Sequence, residues 1–162
     1  DLTLLSEVGQ MLIIILMLIG GSPGSTAGGM KTTTLAVLVS SALSVFRKKE
    51  HTHFFGRRIP DDTIKNAATV FLMYIVLFLV GGMVISSTED IPLMTALFET
   101  ASAIGTVGLS LGITPDLGLV SHIILICLMF LGRVGGLTLI FATLSEKKLN
   151  GSKYPQEKIT VG

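Results

Sequence analysis

The residues able to do chemistry in this chain are few, and most of them offer backbone rather than side chains. Gly105-Thr106-Val107-Gly108-Leu109-Ser110 holds two glycines and no Asn, Asp or His. Its backbone is free to turn, and its carbonyl oxygens are the polar groups that remain. Such carbonyls can replace the hydration shell of a cation. A second string, Gly20-Gly21-Ser22-Pro23-Gly24-Ser25-Thr26-Ala27-Gly28-Gly29-Met30-Lys31, packs five glycines and a proline among small hydroxyl residues. It nearly spells a phosphate-binding loop, since Gly24 is followed by Gly29 and then Lys31-Thr32, but Met30 is inserted before the lysine and no strand precedes it. His51 and His53 are two apart, on different faces of a helix, and no third ligand lies near, so they do not make a metal site. Cys127 sits in an apolar run and reads as a small buried hydrophobe. Two charges stand inside apolar segments, Glu99 and Arg133.

These residues need elements that place them at membrane depth. Hydrophobic residues make up 49% of the chain and charged residues 14%, with mean hydropathy +0.75. That composition excludes an ordinary soluble domain and points to an all-α integral membrane protein. The formal net charge of +1 says little until the charges are placed. No Lys or Arg occurs from Glu89 to His122, whereas Arg47, Lys48, Lys49, Arg57, Arg58 and Lys65 crowd one connection and Lys147, Lys148, Lys153 and Lys158 the tail. By the positive-inside rule, residues 47–65 and 146–162 are cytoplasmic. The opening on Asp1, with no basic region and cleavage site after it, predicts no signal peptide and reads as a fragment.

Residues 8–46 are too long and too weakly charged for one span, so the glycine string must interrupt a helix, which resumes at Thr32 and ends at Phe46. Close helix packing through small residues accounts for part of that string. An unwound loop facing a water-filled cavity accounts for all of it, Pro23 included. After the charged connection, Pro60-Asp61-Asp62-Thr63 offers caps for a clean span from Ala67 to Ser87, with Phe71 and Tyr74 as packing residues and Gly81-Gly82 open to close contact. Next, Asp90 as N-cap and Pro92 in the first turn begin a short helix with Leu93, Ala96, Leu97 and Ala101 on one face. Twelve or so residues reach about 18 Å, roughly half of a hydrocarbon core of about 30 Å, so the chain must turn back at 105–110. The helix's C-terminal end then favours a cation at the turn. A last helix is expected from Leu117 to about Leu144. It buries Arg133, whose cost of about 2.5 to 3.5 kcal/mol demands a partner or water. Glu99 is expected to brace the turn by hydrogen bonds.

Three strings, Gly20 to Thr34, Thr106-Val107-Gly108-Leu109-Ser110 and Gly132-Arg133-Val134-Gly135-Gly136, closely resemble the Ktr/Trk/HKT superfamily of potassium transporters, in particular its bacterial KtrB-type subunits. The resemblance implies four helix–pore–helix repeats in one polypeptide. Residues 1–46 would be the broken second helix of the third repeat with its gating loop at 20–31, residues 47–65 a cytoplasmic connection, residues 66–145 the fourth repeat, and residues 146–162 a cytoplasmic tail. It further implies potassium uptake across a bacterial plasma membrane, K⁺ held by backbone carbonyls of Thr106, Val107, Gly108, Leu109 and Ser110, and closure by Gly20, Gly21, Ser22, Pro23, Gly24, Ser25, Thr26, Ala27, Gly28, Gly29 and Lys31 with Arg133. Glu99 would support the filter. The implied partners are the earlier repeats, a homodimer mate, a cytosolic ring that carries the regulatory nucleotide, and lipid, with no nucleic acid. No directly bound cofactor and no covalent chemistry are expected. A two-helix tetrameric potassium channel fits less well, because its filter continues Tyr-Gly where Leu109-Ser110 stands here. A glycine-loop nucleotide-binding protein and a non-conducting scaffold subunit are the other readings.

Overall fold

The structure, a computed structural model, describes residues 2–48, 52–54 and 57–135. After a 3₁₀ turn at Leu2–Leu4 come helix α1 (Glu7–Ile19), α2 (Thr32–Phe46), strands β1 (His53–Phe54) and β2 (Arg57–Arg58), α3 (Asp61–Glu89), α4 (Leu93–Gly105), a 3₁₀ turn at Thr114–Asp116, and α5 (Leu119–Val134). Ser6 starts α1 by accepting the Gly9 N–H at 3.2 Å, with Glu7 in the first turn complementing the helix dipole. At Gly20 the backbone turns to φ 64°, where a β-carbon would lie 2.4 Å from the Met30 carbonyl oxygen, and the helix stops. The Thr32 N–H donates to the Gly21 carbonyl at 3.1 Å and closes the neck of the 20–31 loop. Helix α2 then begins where the sequence predicts.

The connection is not wholly irregular. His53 pairs with Arg58 and Phe54 with Arg57 in an antiparallel hairpin, a small β element beside an otherwise helical fold. It is fastened to the last turn of α2: the Ser44 and Thr52 hydroxyls, both buried, lie 2.9 Å apart, and Ser44 also donates to the Ser41 carbonyl. His51 lies outside the described residues, and no cluster of three metal-binding side chains occurs among those described.

Helix α3 has 29 residues and is long and apolar enough to cross a membrane, while α1, α2, α4 and α5 are shorter apolar helices. It starts at Asp61, six residues ahead of the predicted Ala67, because Pro60 and the two aspartates of the first turn start it. At about 44 Å it is longer than a hydrocarbon core of about 30 Å. Val70, Tyr74, Phe78, Gly81 and Ile85 make its buried face. Phe71, expected to pack inside, falls off that stripe and is 37% exposed. Asp90 ends α3 in the left-handed region at φ 53° instead of capping α4, whose N-cap is Pro92.

Helix α4 is the axis. Every residue from Phe98 to Gly105 is buried, and α1, α3 and α5 pack around it. Small residues permit that crowding: a β-carbon on Gly82 would lie 2.5 Å from Leu97 Cδ2, and one on Gly132 of α5 would lie 2.0 Å from the Ile104 carbonyl oxygen. Helix α5 buries Ser121, Leu125, Leu128 and Gly132. Cys127, expected to be buried, stands off that stripe and is exposed. Within the described residues α5 ends at Val134, with Gly135 at φ 86°, and the stretch expected to continue it to Leu144 lies outside them. Gly136 and the tail at 146–162 lie outside the described residues.

Candidate ion-conduction site

The C-terminal end of α4 carries the site. The Thr106 N–H donates to the Ala103 carbonyl at 3.1 Å and the Val107 N–H to the Ser102 carbonyl at 3.0 Å, the reciprocal bonds of a Schellman stop. Thr106 takes the left-handed position of that motif at φ 51°, and Gly108 is again positive at φ 84°. The chain then leaves as an irregular run, with Val107, Gly108 and Leu109 exposed on an open side of the structure. Nothing lies within 4 Å of a β-carbon built on Gly108. Ser102, Thr106, Val107, Gly108, Met129 and Arg133 line one cleft there.

Glu99 sets the far end of the run. It is 4% exposed. Its Oε1 accepts the Ser110 hydroxyl at 2.6 Å and the Leu111 N–H at 3.1 Å, and its Oε2 accepts the Thr114 hydroxyl at 2.9 Å. A buried carboxylate surrounded by donors is satisfied where it stands and fixes the segment that supplies them. Among the described residues no buried side-chain nitrogen or oxygen lacks a partner, as membrane depth requires.

Beneath the end of α4 lies the glycine loop. Its tip, residues 22–26, is exposed, and its stem, Gly28, Gly29 and Met30, is buried. The Gly28 N–H donates to Thr106 Oγ1 at 2.8 Å and the Gly29 N–H to the Gly132 carbonyl at 3.2 Å, an oxygen that also accepts the Tyr74 hydroxyl at 3.5 Å. Lys31 folds its ammonium back on the carbonyls of Ala27 and Ser25, and Arg133 Nη1 donates to the Thr26 carbonyl. The structure thus brings the loop, Arg133 and the start of the 106–110 run together. Arg133, expected to be buried, is exposed on the cleft with the loop as its partner. The loop is no phosphate cradle of the strand-to-helix kind, since helix α1 precedes it.

A profile of the TrkH cation transport proteins matches residues 1–152. The chain belongs to the TrkH family. It is 42% identical over 134 residues to the potassium/sodium uptake protein NtpJ of Enterococcus hirae, covering 79% of this chain and 30% of that protein. It is 36% identical over 126 residues to the Ktr system potassium uptake protein B of Bacillus subtilis, covering 78% and 28%. With its Vibrio alginolyticus counterpart the identity is 32% over 127 residues, again covering 78% and 28%. This TrkH-family chain therefore spans less than a third of the length of these relatives. Membership makes it part of a cation-transporting membrane protein family, in keeping with the apolar span at α3.

Sequence reasoning missed one contact of the site and one beyond it. One is the docking of Gly28 on Thr106, whose signal was a β-branched residue at a helix stop. The other is Glu89, whose Oε1 accepts the Gly118 N–H at 2.8 Å and the Ser121 hydroxyl at 2.6 Å, tying the end of α3 to the start of α5. The signal for the second was an acid closing one span and a Gly-x-x-Ser opening the next.

Proposed function

We propose that this chain supplies one strand of a potassium filter and the intramembrane gate below it, within the translocating subunit of a Ktr/Trk-type uptake system. The observation that carries the reading is the seating of the glycine loop against the end of a buried half-span helix, directly below a run braced by Glu99. Carbonyls of Thr106 to Ser110 coordinate the dehydrated ion, and the negative end of the α4 dipole favours a cation at that place. Residues 20–31 with Arg133 obstruct passage: the guanidinium places a fixed positive charge on the cleft and donates to the Thr26 carbonyl of the loop beside it. The names of the relatives, potassium uptake and potassium/sodium uptake proteins, support K⁺ as the substrate ion.

In this reading the earlier pore repeats complete the filter, two subunits pair, and a cytosolic ring carries the regulatory nucleotide. The protein is multi-pass in a bacterial plasma membrane, with residues 47–65 and 146–162 inside. The step is ion translocation with no covalent chemistry, and no nucleic acid takes part.

The test is cation uptake by cells lacking their own potassium transporters and expressing the complete subunit. Gly108→Ser introduces a side chain where φ is 84° and is expected to weaken K⁺ preference. Deletion of residues 22–29 is expected to raise leak. Wild-type uptake from both variants at equal expression would overturn the assignment.

A further inference from the structure

Thr106 occupies a backbone position that suits glycine. Its φ of 51° and ψ of 41° put a β-branched residue in the left-handed region, at the place a Schellman stop usually gives to Gly. Strain of this kind persists where surrounding structure holds it and often serves function. Here the side chain has a definite partner. Thr106 Oγ1 accepts the Gly28 N–H at 2.8 Å. Gly28 is buried, so that N–H would otherwise be an unsatisfied donor. The fit is tight as well: a β-carbon on Gly28 would lie 2.6 Å from Thr106 Cγ2 and 2.7 Å from Oγ1. Gly29 holds the adjoining turn of the loop on the Gly132 carbonyl at 3.2 Å.

We propose that Gly28 is a positioning residue for the ion site nearest the loop: its N–H holds the Thr106 hydroxyl, and through it the strained backbone of Thr106, so ion preference depends on the loop being seated. The inference rests on the filter-and-gate reading above. While the loop is docked, one face of the hydroxyl oxygen is taken by Gly28 and the residue keeps its left-handed turn. When the loop withdraws, the partner that holds that turn is gone and the carbonyls next to it are free to relax. Gate opening and discrimination between ions then change together, because one hydrogen bond belongs to both.

The experiment compares Thr106→Ser, which keeps the acceptor oxygen, with Thr106→Val, which keeps the branched shape and loses it. Each is made in the complete subunit with the loop intact and with residues 22–29 deleted, and the K⁺/Na⁺ uptake ratio is read from the same cells, so protein amount cancels. With the loop intact, valine is expected to lower the ratio about fivefold relative to serine, the factor of one lost hydrogen bond. With the loop deleted, the difference is expected to shrink below about twofold, because the partner is gone. A difference of equal size in both backgrounds overturns the proposal, since the hydroxyl then serves the ion alone, and no difference in either background overturns it too. Gly28→Ala, which crowds Thr106 from the loop side, is expected to shift the ratio in the same direction as valine. A wild-type ratio there counts against the proposal. Gly108→Ser run in parallel separates the failures: if it shifts the ratio while the Thr106 pair is independent of the loop, only this inference falls. If Gly108→Ser also has no effect, the filter reading falls with it.

Discussion

Glu99 shows how one buried acidic side chain can fix an irregular polypeptide segment. The donors it satisfies, Ser110, Leu111 and Thr114, lie 11 to 15 residues downstream, and they hold the run on the side away from the loop. Glu99→Ala leaves these donors unpaired, at a cost of about 1–3 kcal/mol. The expected outcome is a lower midpoint of thermal unfolding in detergent together with a reduced K⁺/Na⁺ uptake ratio, while Glu99→Gln, which keeps one acceptor oxygen, falls between. An unchanged ratio with lowered stability would limit Glu99 to a packing role. Arg133 was expected to be buried and is exposed, whereas the burial and bracing of Glu99 were legible in the sequence because a charge inside an apolar run must have a reason. Cys127 and Phe71 were not. Both lie in uniformly apolar stretches, where every position looks equally fit for burial, and only the buried stripe of each helix shows that these two face outward.

At the scale of elements, the break between α1 and α2 was legible from glycine density, and the short helix α4 from Pro92 before it and the glycine-bounded turn after it. The start of α3 was placed late, because the apolar run begins after the residues that cap it. The hairpin at 53–58 was missed, since two-residue strands leave no periodicity. The same holds for the clasp between α3 and α5, where Glu89 reaches 29 residues along the chain to Gly118 and sits at the N-terminus of α5. An anion there complements the helix dipole and caps the Gly118 N–H. Glu89→Ala is expected to lower the unfolding midpoint in detergent, with the K⁺/Na⁺ ratio unchanged because the clasp stands apart from the 106–110 run. A changed ratio would show that the clasp also acts on the 106–110 run.

The whole molecule presents apolar side chains outward: Leu16 of α1 is 66% exposed, Leu72 of α3 64%, and Ile126 and Phe130 of α5 63% and 62%. Such a surface requires lipid or further protein around it. Ile126→Lys and Phe130→Lys each carry about 2.5–3.5 kcal/mol against insertion near a helix centre. Reduced membrane integration, measured by protease protection of the flanking segments, is the expected result if α5 meets lipid there, while full integration would place that face against another protein segment. The composition announced this surface, but which side of each helix carries it depends on packing around α4 that no single-helix pattern contains. One more consequence lies in α2. Its first turn is bound to the loop through Thr32 and Gly21, and its last turn is stapled to the hairpin through Ser44 and Thr52. Fifteen residues of helix, about 22 Å, join the two fastenings. Helix α2 is thus a crankshaft: torque applied at the Arg57–Arg58 edge travels along it to the 20–31 loop without crossing α4.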